Sequence, residues 1–122
     1  SSGSIVSTKA GSTGWLSSIF NMAYCITSFV DTDHKLPRHL KPGEEQLIFA
    51  VREPFASRET KTYIQVGVMN NNHHLIIESF MPSNGVIFSD GIESDFLKFN
   101  SGSIATISVA SEKAKLVMKS GV

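Results

Sequence analysis

A chain of 122 residues fits one domain, residues 1–122, long enough for a core without metal or disulfide staples. Its 41% apolar and 18% charged residues are ordinary for a folded soluble domain. The 11 basic and 11 acidic residues cancel, and no long Lys or Arg run exists, which argues against a nucleic-acid partner.

Cys25 is the single cysteine, so no internal disulfide forms, which suits a reducing cytoplasm. The most apolar stretch, Trp15 to Val30, is short and interrupted by Ser17, Ser18, Asn21 and Thr27. It reads neither as a membrane span nor, lacking a basic flank, as a signal peptide. The opening Ser1-Ser2-Gly3-Ser4 carries no methionine and reads as a boundary or tag scar. The chain is therefore expected to be part of a larger protein.

Ile5-Val6-Ser7 is a short apolar run entering a small-residue turn, Thr8 to Gly14. Apolar residues then fall at Trp15, Ile19, Met22, Ile26 and Phe29, with Leu16, Phe20 and Ala23 beside them. That spacing predicts a helix with a wide buried face, N-capped by Ser12 or Thr13. Asp31 to Pro37 ends the helix, and His39 to Gly43 reads as loop. Strands are expected over Gln46 to Val51, Thr60 to Met69 and Leu75 to Met81. The turn Pro82-Ser83-Asn84-Gly85 leads to a strand at Val86 to Ser89, and Asp90-Gly91 turns again. Asp95 to Phe99, the turn Asn100-Ser101-Gly102, the alternating run Ile104 to Val109, and Lys113 to Met118 complete the series. Strands at this spacing predict a mainly β fold, an antiparallel sandwich-like domain with one N-terminal helix.

The best candidate site is Ser7-Thr8-Lys9-Ala10-Gly11-Ser12-Thr13-Gly14-Trp15, where a strand gives way to a helix. A helix N-terminus offers unpaired N–H groups and partial positive charge; glycines admit a ligand to the backbone. Together they favour phosphate, ribose or another polar group, with Trp15 stacking on a flat ring. The same residues also read as a capped helix, a tight loop and a buried tryptophan. The pattern is not a Walker-A loop, because Lys9 precedes the second glycine.

Other groups read as structural. Asp90-Gly91 is a favoured turn pair. His73-His74 would point to opposite faces of a strand and chelate poorly, so with Asn70-Asn71-Asn72 it reads as exposed turn. His34 and His39 read as surface, and Cys25 as a small buried helix residue. The acidic pairs Asp31 and Asp33, Glu44 and Glu45, and Glu53 and Glu59 read as solvated. Arg52-Glu53-Pro54-Phe55 ends a strand, as an edge or a subunit contact.

Two segments together resemble the NAD kinase family. The first is Ile5 to Ser18, where the family has a strand, then Ser-Thr-Pro-Thr-Gly-Ser-Thr-Ala-Tyr, then a helix of small residues. The second is Gly85-Val86-Ile87-Phe88-Ser89-Asp90-Gly91, followed by Phe96-Leu97, Gly102 and Ile104 to Ser108. The resemblance implies the C-terminal β-rich domain of that family, packed in the parent against an N-terminal α/β domain with the nucleotide between them. It implies a homodimer or homotetramer whose subunits complete each other's sites. Ser12, Thr13, Gly14 and Trp15 would line the NAD pocket, Ser18 would fall on a family serine, and Asp90 and Gly91 on a C-terminal loop near the site. The reaction implied is transfer of a phosphoryl group from ATP or polyphosphate, with Mg²⁺, to the 2′-hydroxyl of NAD, giving NADP.

The chain departs from the pattern. The Gly-Gly-Asp-Gly motif with the family's catalytic aspartate is absent, as is its Asn-Glu pair, and both are expected upstream of Ser1. No catalytic residue is therefore expected within residues 1–122, and no bound metal. Lys9-Ala10 replaces Pro-Thr, Trp15 replaces Tyr, and Ile19-Phe20-Asn21 replaces Ala-Gly-Gly. The bulkier helix start narrows or reshapes the pocket, which opens two alternatives: a kinase of another acceptor, such as a lipid or sugar, and a non-catalytic binding or assembly module.

Overall fold

The computed structural model describes residues 1–30, 33, 42–59, 62–89, 91–115 and 117–119. His34, His39, Asp31, Thr60 and Asp90 lie outside the described residues. The chain forms a mainly β arrangement of antiparallel sheets with one α-helix near its start.

Strand β1 (Gly3–Ser7) pairs with β2 (Leu47–Arg52), which pairs with β3 (Val66–Met69). Between β1 and β2 come a 3-10 turn at Ala10–Thr13 and helix α1 (Trp15–Val30). Strand parity puts Ile48, Ala50 and Arg52 on the face of β2 that meets the helix. Ile48 and Ala50 close on Leu16, with Ile5, Ile19 and Phe20 packed around them.

The remaining strands form a nested ribbon. β4 (Leu75–Glu78) pairs with β7 (Ile104–Ile107), and inside it β5 (Val86–Phe88) pairs with β6 (Phe96–Lys98). The two pairs are stitched together by backbone bonds. Phe99 N–H donates to the Gly85 carbonyl at 2.7 Å, Ser101 N–H to the Met81 carbonyl at 2.7 Å, and Ser79 N–H to the Ser103 carbonyl at 2.9 Å. Buried Ser79 adds its hydroxyl, which donates to the Phe99 carbonyl at 2.7 Å and accepts from Met81 N–H at 3.2 Å. At Gly85 a Cβ would stand 1.9 Å from the Phe99 carbonyl oxygen, so only glycine fits there.

Several expectations need correction. The helix does not bury its whole apolar width. Leu16, Phe20, Ala23 and Thr27 recur at helical spacing on the side facing the sheet. The row Trp15, Met22, Ile26 and Phe29 stays exposed, up to 90% at Phe29. Cys25 is also exposed. Nine positions beyond Leu16, at about 100° per residue, it comes to the opposite side of the helix. The strand expected over Thr60 to Met69 is only Val66–Met69. A bend at Gln65 starts it late, and its partner β2 ends at Arg52, followed by Glu53 with φ of 47° and Pro54, so residues 62 and 63 face no strand. No strand forms over the described residues of Lys113 to Met118; Lys113 is tied instead to Glu45 by an ion pair.

Candidate functional site

The loop from Thr8 to Gly14 is held by its own hydroxyls. Thr8 Oγ1 accepts from Gly11 N–H at 3.2 Å, and Ser12 Oγ donates to the Lys9 carbonyl at 2.7 Å. Ser12 is buried, so its contribution is the shape of the loop. Because the 3-10 turn occupies Ala10–Thr13, the helix starts at Trp15, and neither Ser12 nor Thr13 caps it as expected. Ser17 caps backwards, donating to the Gly14 carbonyl at 2.7 Å and the Thr13 carbonyl at 3.1 Å. Thr13 and Gly14 themselves are exposed at the loop crest.

Trp15 is 41% exposed, so it is not the buried tryptophan of the structural reading. The Arg52 guanidinium lies over its ring, 4.3 Å from the centroid. Ser18, one turn along the helix, is exposed on the same side and donates to the Trp15 carbonyl at 2.7 Å. Its lone pairs remain available to a donor.

Trp15 and Ser18 open on a cleft of about 440 Å³ between α1 and the β2–β3 edge. Ile19, Met22, Ala50 and Val66 give it apolar walls, while Arg52, Glu53 and Gln65 supply its polar groups. A mostly apolar concavity of this size with a few convergent polar groups has the proportions of a small-molecule site. Ile19 and Phe20, two of the bulky replacements at the helix start, line the cleft while packing against the core.

The structure brings Trp15 and Ser18 to the cleft and leaves Ser12, Thr13 and Gly14 in the loop before the helix, outside its lining. It does not bring Gly91 there. Gly91 turns between β5 and β6 with φ of 86°, on the nested ribbon, and Asp90 is outside the described residues.

No family model matches the chain, and neither the curated proteins nor the solved structures contain a match.

Arg52 is the cleft residue that sequence reasoning missed. The signal was strand parity: Ile48, Ala50 and Arg52 alternate, so an arginine ends the row of residues facing the helix. His73 and His74 are exposed, and His73 Nδ1 pairs with Asn70 Oδ1 at 2.9 Å. Among the described residues, no group of three His, Cys, Asp or Glu is placed to hold a metal ion. Lys9 is paired with Glu44 at 3.5 Å, out at the surface. No helix among the described residues is long and apolar enough to cross a membrane.

Proposed function

We propose that this chain is the substrate-lining domain of an NAD kinase-like phosphotransferase. The observation that supports it is the placement of Trp15 and Ser18. They stand one helical turn apart, directly after a hydroxyl-rich loop, and both face a cleft of nucleotide-like proportions. These are the positions at which the family resemblance puts pocket residues. In this reading Trp15 packs on a flat ring of NAD, Ser18 hydrogen-bonds the ligand, and Thr13 and Gly14 border the ribose and phosphates. Gly91 reaches the nucleotide from the ribbon when the partner domain or subunit is in place, and Asp90 is assigned to the site by the family resemblance alone.

The catalytic aspartate, Mg²⁺ and the ATP or polyphosphate donor belong to an N-terminal α/β domain outside residues 1–122. The role of this chain is positioning, on which phosphoryl transfer depends heavily. The exposed apolar row of α1 gives that domain, or a second subunit, a surface to cover. In the assembled enzyme the sheets are proposed to complete a sandwich-like layer, in the cytoplasm.

The test is a titration of the full-length protein with NAD, following Trp15 emission, with an assay for NADP formed from ATP and Mg²⁺. A saturable signal with NADP formation is expected, and none from residues 1–122 alone. Binding without product moves the function to another acceptor.

A second reading, a non-catalytic assembly module, is favoured by the unpaired outer edges of β1 and β3 among the described residues. It predicts oligomers of the chain without affinity for any nucleotide.

A further inference from the structure

We propose that Arg52 is the anion grip of the cleft, holding a phosphate of a nucleotide whose base lies along the apolar wall. The proposal rests on reading Trp15 and Ser18 as facing a nucleotide.

Arg52 ends β2 on the helix-facing row, which carries its side chain into the lining of the cleft. Its planar group lies over Trp15 at 4.3 Å. A guanidinium above a ring keeps N–H donors that fit a phosphate bidentately. Among the described residues no carboxylate forms an ion pair with it, although Glu53 follows in sequence and lines the same cleft. The positive φ of Glu53, 47°, turns the chain immediately after Arg52. A half-buried arginine set over an aromatic in the lining of an apolar cleft, with no carboxylate paired to it among the described residues, is pre-organised for an anionic ligand.

Geometry also orders the ligand. The apolar lining residues Ile19, Met22 and Val66 suit a base, and the polar groups of Arg52 and Ser18 suit a phosphate. A phosphorylated nucleoside satisfies both ends; a neutral nucleoside satisfies one.

The test uses AMP and adenosine as probes of the 122-residue chain, read by emission of Trp15, its single tryptophan. AMP is expected to bind at least about tenfold tighter than adenosine, the size of one charge-assisted hydrogen bond. Arg52→Gln should erase that preference while leaving adenosine unchanged, and Arg52→Lys should retain part of it. AMP affinity should also fall as salt rises. Unchanged AMP binding by Arg52→Gln overturns the proposal, as does the absence of AMP binding to the unaltered chain. If Arg52→Gln fails to fold, salt-independent AMP binding by the unaltered chain overturns it instead. The two readings fail separately. In the full-length protein, NADP formation with an unaltered KM for NAD in Arg52→Gln sinks the grip and leaves the kinase. AMP held through Arg52 with no NADP formed sinks the kinase and leaves the grip.

Discussion

Trp15 shows how one side chain can be tested for two roles. With 41% of its surface in water, it contributes less to the core than a buried tryptophan does. In the proposed kinase reading, Trp15→Ala in the full-length protein is expected to raise the KM for NAD several-fold, with a change in stability of about 1 kcal/mol, below the cost of emptying a core site. Steady-state kinetics and a urea melt check this; unfolding with unchanged ligand affinity would make the residue structural. Gly85 and Ser79 stand at the opposite extreme. A methyl at Gly85 meets the Phe99 carbonyl at 1.9 Å, and this is backbone, which cannot swing aside. Gly85→Ala should cost roughly 3 kcal/mol or more, in the range of severe core lesions. Ser79→Ala, which leaves a buried carbonyl and an N–H without their partner, should cost roughly 1–3 kcal/mol. Denaturant midpoints of both variants give the comparison.

At the scale of elements, the helix carries the clearest lesson. Its existence was legible from the spacing of apolar residues; its cap was not, because Ala10–Thr13 form a 3-10 turn of their own ahead of Trp15. Which side it would bury was not. Trp15, Ile19, Met22, Ile26 and Phe29 form as regular an apolar row as the one centred on Leu16, Phe20 and Ala23, and periodicity cannot rank two adjoining rows. The sheet decided, since Ile48 and Ala50 meet Leu16. Leu16→Ala is thus expected to destabilise by about 2–5 kcal/mol, the usual range for a buried leucine. Phe29→Gln, at an exposed position, should shift stability by less than about 0.5 kcal/mol. Thermal melts of the two variants test the assignment; equal losses would mean that the outer row is packed. Strand ends were hard to read for a related reason. Residues 62 and 63 have strand-forming side chains, yet a strand needs a partner, and β2 stops before Glu53 and Pro54. The turns at Asn100 to Gly102 and Asn70 to Asn72 were legible, because Asn and Gly carry their backbone preference locally.

For the whole molecule, the candidate site was half visible. The loop and Trp15 stood out because small residues, a glycine pair and an aromatic fall together in sequence. The cleft did not, because it needs β2 and β3, which lie some thirty to fifty residues further along the chain. Arg52 reaches Trp15 only through the β1–β2 register. The same topology separates the loop from Gly91, so any joint action of the two depends on chains or domains beyond the residues described. The flank of β3, unpaired among the described residues, has a further bearing on the molecule in solution. From Tyr63 to Met69 the chain reads Tyr-Ile-Gln-Val-Gly-Val-Met, without a charge or a proline. Val66 and Val68 stand exposed along that flank. Such a stretch is a template for like strands, and nothing in it repels a copy of itself. Concentrated samples are therefore expected to associate through this edge, and Val68→Lys, outside the cleft lining, to slow that association as followed by light scattering.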